Sequence, residues 1–291
     1  MLLNRRQFYR MGAGLGLSAA MLRLGRSQPY AAVELVEGYA ACEGVRLFYV
    51  RAGAGPLILF LHGFPDGWQL YHPYLQEFGR DHLAVAANLR GVLPSDRPEA
   101  IEAYAMPRLL GDLHCLLDHF GQASAILVAN DWGAYVAWVF ASAYPERVER
   151  LVIMNGGHPA LLLRDFRTDP AQIAASQYER GPLPAPLPAY LAADPIEVPT
   201  SLEAAADLAV PDLGAVFFDG VTHPPASTSL VVEVPTLVIW GIQDPSQLPG
   251  LLDGLEAYVR DLTVIRIDDA GHYPMRSHSM RVVAEIRHFL G

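Results

Sequence analysis

The hydrophobic pattern along the chain changes period again and again. Short apolar, β-branched runs alternate with stretches in which apolar positions recur at helical spacing. The runs predict strands over residues 45–51, 57–61, 83–87, 125–129, 151–154, 236–240 and 262–267. Several are apolar at nearly every position, as strands of a parallel sheet covered on both faces must be. Helical spacing predicts helices over 107–120 and 132–144, each closed by a turn or proline signal. This alternation predicts an α/β chain with a mostly parallel, doubly wound sheet. In such sheets ligands sit outside the carboxyl ends of the strands, so the loops after strands are where chemistry is sought.

Residues 158–230 break the rhythm. A helical stretch over 170–180 is followed by Gly181-Pro182-Leu183-Pro184-Ala185-Pro186-Leu187-Pro188, whose prolines make a stiff, extended connector. The region carries no strand of the sheet's type and reads as a cap or lid. It divides a core of residues 33–157 from a second core segment, residues 231–291.

Residues 1–32 have a different character. Asn4-Arg5-Arg6-Gln7-Phe8-Tyr9-Arg10 precedes a small-residue apolar stretch, 11–22, which is far shorter than the roughly 20 residues needed to cross a bilayer. The segment resembles a twin-arginine export signal, which is read by the export machinery rather than by lipid. The expectation is export to the periplasm or beyond. The alternative is a basic N-terminal helix on a cytoplasmic protein.

Composition narrows the field further. The chain of 291 residues is 52% hydrophobic and 18% charged, which excludes disordered and fibrous classes. Its net charge is −10, and every one of its 21 basic side chains is arginine. No basic stripe follows the leader, so nucleic acid is excluded as a partner. Cys42 and Cys115 lie far apart with no ligand spacing, so neither a disulfide framework nor a cysteine-ligated metal is expected. His62, His114 and His119 read as structural, and no metal or organic cofactor is implied.

Three loops hold the candidate chemistry. They are His62-Gly63-Phe64-Pro65-Asp66-Gly67-Trp68, Ala129-Asn130-Asp131-Trp132-Gly133, and Ala270-Gly271-His272-Tyr273-Pro274, with Asp244 after the strand at 236–240. The middle loop has the strand–turn–helix setting of a nucleophile elbow, with small residues flanking the turn. Its central side chain is Asp131. A carboxylate acylates poorly, yet it displaces a leaving group at saturated carbon, and the resulting ester can be hydrolysed by activated water. His272 would be the base and Asp244 its orienting acid, in the chain order of this kind of site. Backbone N–H groups of Phe64 and Trp132 would meet the oxyanion. The plainer alternatives are Asp131 as a helix N-cap, Asp244 as the start of an Asp-Pro turn, and His272 as a surface histidine. Asn155, at another strand end, cannot ionise and is a poor rival for the acid.

Taken together, these motifs resemble the α/β-hydrolase superfamily, in its epoxide hydrolase and haloalkane dehalogenase branch. The His-Gly-Phe-Pro turn, the Asp-Trp-Gly elbow and Asn88-Leu89-Arg90-Gly91 with Ser95-Asp96-Arg97-Pro98 are closest to epoxide hydrolases. The resemblance implies a short, mainly helical cap inserted after the sixth strand of the sheet, and a cis bond before Pro65. It also implies a cap tyrosine, Tyr178, that hydrogen-bonds the epoxide oxygen. Phe217, Phe218 and His223 would line the pocket with Phe64 and Trp132.

The chain also departs from that pattern. Residues 215–219 lack the expected second tyrosine, Asn130 stands in place of a histidine, and no acid follows His272 closely. Tyr178 and His223 also have plain readings, as an amphipathic cap-helix residue and a solvated loop histidine.

The leading function is hydrolysis of a small apolar epoxide to a vicinal diol, with water as second substrate. A haloalkane or haloacid dehalogenase using the same aspartyl ester is the alternative. A non-catalytic small-molecule-binding protein on a hydrolase fold is the third reading.

Overall fold

The computed structural model describes residues 32–176 and 230–291. Residues 1–31, the proline-rich stretch 181–188, and Tyr178, Phe217, Phe218 and His223 lie outside the described residues. So does the chain between the two boundaries expected for the cap, apart from residues 158–176 and Leu230.

Eight strands form one sheet: β1 (Leu35–Cys42), β2 (Val45–Ala52), β3 (Leu57–Leu61), β4 (Leu83–Ala87), β5 (Ala125–Asn130), β6 (Val148–Met154), β7 (Thr236–Gly241) and β8 (Leu262–Ile267). Their spatial order is β1-β2-β4-β3-β5-β6-β7-β8. From β4 to β8 every neighbour is parallel, whereas β2 runs antiparallel to both β1 and β4. The fold is therefore the expected α/β-hydrolase sheet. The seven predicted strands are all present, and β1 is an edge strand that the periodicity did not give.

Burial explains the pattern. Every residue of β3, β5 and β7 is buried, because helices cover both faces of the sheet there. One face packs α2 (Met106–His119), α3 (Asp131–Ala143) and α4 (Pro159–Thr168). The other packs α1 (His72–Phe78) and the C-terminal helix, which runs Ser279–Leu290. Helix α3 is apolar almost all round and sits in the middle of the molecule, with ten buried residues. After β6, the described chain continues through α4 and α5 (Pro170–Ala175). Leu230 then returns, its carbonyl 2.9 Å from His158 Nε2.

One expectation is corrected. Cys42 and Cys115 form a disulfide across 73 residues, with Cα atoms 5.6 Å apart. It ties the last residue of β1 to α2, which packs against that edge strand. No sequence spacing announces such a pair, because its closeness comes from β1 and α2 being neighbours in space.

Two buried histidines fasten loops to this frame. His62 Nε2 accepts the Leu89 N–H at 3.0 Å, which leaves Nδ1–H to donate to the Gly63 carbonyl at 2.8 Å. His158 accepts the Ala160 N–H on Nδ1 at 3.3 Å and so carries its proton toward Leu230. Burial pushes both rings down to a pKa of about 4.

Removing the disulfide with Cys42→Ser and Cys115→Ser, or with a reductant, should cost about 2–4 kcal/mol. Denaturant midpoints would show this, and an unchanged midpoint would mean that the link carries no stability. The histidines set a second expectation. Their folded pKa lies below the unfolded value, so between about 6.5 and 4 the unfolded chain binds more protons. Stability should therefore fall as pH drops through that window, by on the order of 3 kcal/mol per histidine if fully titrated. A flat denaturation midpoint from pH 6.5 to 5, where most carboxylates stay ionised, would contradict it.

Candidate active site

Asp131 is the first residue of α3, directly after β5, and its backbone adopts φ 51°, in the left-handed region. Side-chain-bearing residues seldom take that conformation, and a tight strand-to-helix turn requires it. The turn survives because two residues packed against it, Gly63 and Gly133, lack side chains. A Cβ on Gly133 would sit 2.5 Å from the carbonyl oxygens of both Leu61 and His62, and one on Gly63 would collide with the Asp131 side chain. The two loops thus approach at backbone distance. The Asp131 carboxylate is 3% exposed and aimed at the turn after β3.

Its two oxygens face different partners. Oδ1 accepts the Phe64 N–H at 2.9 Å. Oδ2 lies 3.3 Å from His272 Nε2. Phe64 is held in a turn closed by the Asp66 N–H donating to the Gly63 carbonyl at 3.0 Å, and the Phe64–Pro65 bond is cis, as the resemblance implied. The Phe64 ring stacks on Trp132 at 4.9 Å between centroids, so the two rings form one apolar wall beside the carboxylate.

His272 follows β8 and is fully buried, with Nδ1 2.7 Å from Asp244 Oδ2. Burial alone would push the imidazole down. The charges and hydrogen bonds of Asp244 and Asp131 outweigh burial and hold its pKa well above the ordinary value. The site therefore favours an imidazolium between two carboxylates.

Asp244 is the most heavily bonded of the three. Oδ1 accepts the Ser246 N–H, the Ser246 Oγ–H and the Gln247 N–H at 2.8–3.0 Å. Oδ2 accepts Asn155 Nδ2 at 2.7 Å in addition to His272. Burial would raise this carboxyl, yet the His272 charge and these donors hold it below the ordinary range.

Sequence reasoning dismissed Asn155 as a rival acid and overlooked Ser246 and Gln247. Asn155 is instead a donor to the acid. Its amide also pairs with Gly241, accepting that N–H at 2.8 Å and donating to its carbonyl at 3.1 Å. The Asp-Pro-Ser-Gln run was readable as an Asx turn, the one signal that would have found Ser246. Asn130 Nδ2 donates to the Met154 carbonyl at 2.8 Å, so this departure from the family pattern packs between β5 and β6.

The structure thus brings Asp131, His272, Asp244, Phe64 and Trp132 together at the carboxyl ends of β3, β5, β7 and β8. Tyr178, Phe217, Phe218 and His223 are outside the described residues. Among the described residues no cluster of His, Cys, Asp and Glu could hold a metal ion.

Residues 56–278 match the sequence profile of the α/β-hydrolase fold family. Epoxide hydrolase 1 of Caenorhabditis elegans is 31% identical over 286 residues, spanning 87% of this chain and 69% of that protein. Mouse epoxide hydrolase 4 is 37% identical over 137 residues, a match spanning 46% of this chain and 38% of the relative. A solved epoxide hydrolase variant from Bacillus megaterium, complexed with its naphthyloxy-propane-1,2-diol product, superposes with a TM-score of 0.76. It is 30% identical and covers 87% of this chain and 99% of its own. This chain belongs to the α/β-hydrolase family, on its epoxide hydrolase-like branch, and is a hydrolase.

Proposed function

We propose that this hydrolase opens small apolar epoxides through an ester on Asp131. The observation that carries the reading is the unequal setting of the two Asp131 oxygens. Oδ1 rests on a backbone N–H, and Oδ2 faces His272 beside the aromatic wall. In the first step Oδ2 attacks an epoxide carbon, the carbon–oxygen bond breaks, and the opening alkoxide takes a proton from the Tyr178 hydroxyl. The basicity of an alkoxide makes such a donor necessary. The second tyrosine is missing at 215–219, so Tyr178 carries that task within this mechanism.

Forming the ester removes the negative charge of Asp131. One of the two charges that hold the His272 proton then disappears, so the imidazolium becomes more acidic, gives that proton to the Tyr178 oxygen deprotonated in the first step, and is left as the neutral imidazole that the second step needs. His272, oriented by Asp244, takes a proton from water as the water attacks Asp131 Cγ. The developing oxyanion meets the N–H groups of Phe64 and Trp132. Collapse returns the His272 proton to the departing alkoxide oxygen. The remaining proton, left on the Asp131 carboxyl, returns to His272, and a vicinal diol leaves. The names of the relatives support the epoxide as substrate.

We also propose that residues 1–32 direct export. The arginine pair supports this, as does the Cys42–Cys115 disulfide, because such links persist in oxidising compartments. Expression in a host with a twin-arginine pathway should place the protein outside the cytoplasm, and Arg5→Gln with Arg6→Gln should retain it inside. Equal distribution of both forms would reject the leader.

The catalytic reading is checked by intact mass on His272→Ala. The probe is the epoxide whose hydration gives the diol named for the Bacillus megaterium relative. The expected species carries the mass of the whole epoxide, persists about 10²- to 10⁴-fold longer than in the parent, and is absent from Asp131→Ala. An adduct of alkyl mass from an alkyl halide, with none from epoxides, would move the assignment to dehalogenation. No Asp131-dependent adduct from either reagent would leave a binding protein.

A further inference from the structure

The turn that presents the Phe64 N–H is not held by its own strand alone. One turn of chain after His272, the short helix Pro274–Ser277 with the preceding Tyr273, reaches across and grips it twice. Tyr273 O–H donates to the Phe64 carbonyl at 3.2 Å. Arg276 Nη2 pairs with Asp66 Oδ1. These contacts grip the turn on either side of Pro65. The Arg276 guanidinium lies 4.8 Å over the Tyr273 ring, so the two grips brace each other.

Stability is a poor account of this ion pair. Asp66 is 4% exposed, and its Oδ2 has no hydrogen-bond partner among the described residues. Burial outweighs Arg276 and raises the Asp66 carboxyl above its ordinary range. A half-satisfied buried pair gives little net stability, since desolvation offsets the attraction. What it does supply is a fixed position for the segment between its ends.

We propose that Arg276 and Tyr273 are positioning residues for hydrolysis of the ester: they lock the Phe64 N–H to the chain segment that carries His272, so that the oxyanion donor and the base stay in register. This inference rests on the Asp131 ester mechanism and assigns different demands to its two steps. In the free enzyme the Phe64 N–H stabilises a carboxylate oxygen. Attack by Oδ2 reduces the charge on Oδ1, so this donor gives the first step no assistance. Water attack on the ester returns a full charge to that oxygen, and there the donor is worth most. Loosening the turn should therefore slow the second step and spare the first.

The test uses the full protein with the same epoxide probe, with rapid quenching and intact mass to time ester formation and decay. Arg276→Met, and separately Tyr273→Phe, should slow ester decay by about 10- to 100-fold, as expected for a weakened oxyanion donor. Ester formation should stay within about threefold. In steady state kcat and KM should fall together, kcat/KM should hold, and the esterified form should accumulate. Arg276→Lys, which keeps the cation, should restore most of the decay rate.

Should Arg276→Met fold poorly, Asp66→Asn with Arg276→Met removes both charges, and Tyr273→Phe removes a single hydroxyl. Equal slowing of both steps, or no slowing of decay, would overturn the proposal and leave the pair a structural contact. If His272→Ala traps no ester at all, the underlying mechanism fails instead. A trapped ester there with an unshifted decay in the Arg276 and Tyr273 variants sinks this inference alone.

Discussion

The close approach of two backbones beneath Asp131 governs the rest of the site. A left-handed aspartate between β5 and α3 exists only where the strand end and the next loop can touch, and Gly63 and Gly133 permit that contact. The carboxylate is consequently delivered to the Phe64 N–H without a flexible side chain having to search for it. The same buried β5 and apolar α3 that make the turn sharp also make it rigid, because β5 touches the core on both faces and α3 is buried in one of them. Position at the site is thus set by packing far from it.

Burial then dictates the electrostatics. A carboxylate, an imidazole and a second carboxylate lie in line, all nearly inaccessible. Such a row is tolerable only if charge alternates and the remaining lone pairs are filled. Asp244 meets the second requirement with donors from Asn155, Ser246 and Gln247, and His272 meets the first by holding its proton. Asn155 illustrates the economy of the arrangement. A carboxylate at that strand end would add a third negative charge beside Asp244, whereas an amide supplies the donor that the acid lacks.

How much of this was legible depended on the range of each interaction. Strands β3, β4 and β8 matched their expected limits because burial on both faces, or a β-branched run bounded by turns, leaves a local imprint. β1 left none. Leu35–Cys42 is a half-exposed edge strand containing a glycine and small residues, and it is held by pairing with β2 rather than by its own pattern. The elbow was readable because strand, turn and helix are contiguous. The disulfide was not, since a separation of 73 residues becomes a neighbour relation only after α2 docks. Motifs at strand ends singled out Asp131, Asp244 and His272, whereas nothing local marked the donors around Asp244 or the grip of Arg276 on Asp66.

That last contact changes how the departures from the family pattern should be weighed. The chain lacks an acid close after His272, a deviation which, in the sequence alone, suggests a drifting site. In the fold the helix after His272 instead presents a cation, and the acid that meets it is Asp66, on the opposite loop. The charge pairing spans the two loops that must stay aligned, whereas a pair within the histidine's own loop would leave the Phe64 turn unheld. The proposed two-step mechanism sharpens the requirement. The first step needs a carboxylate that remains nucleophilic, which argues against an overly strong donor on Oδ1. The second needs that same donor fully in place. A donor of ordinary strength held in a fixed position satisfies both demands, and strength cannot substitute for position because only position improves the second step without penalising the first.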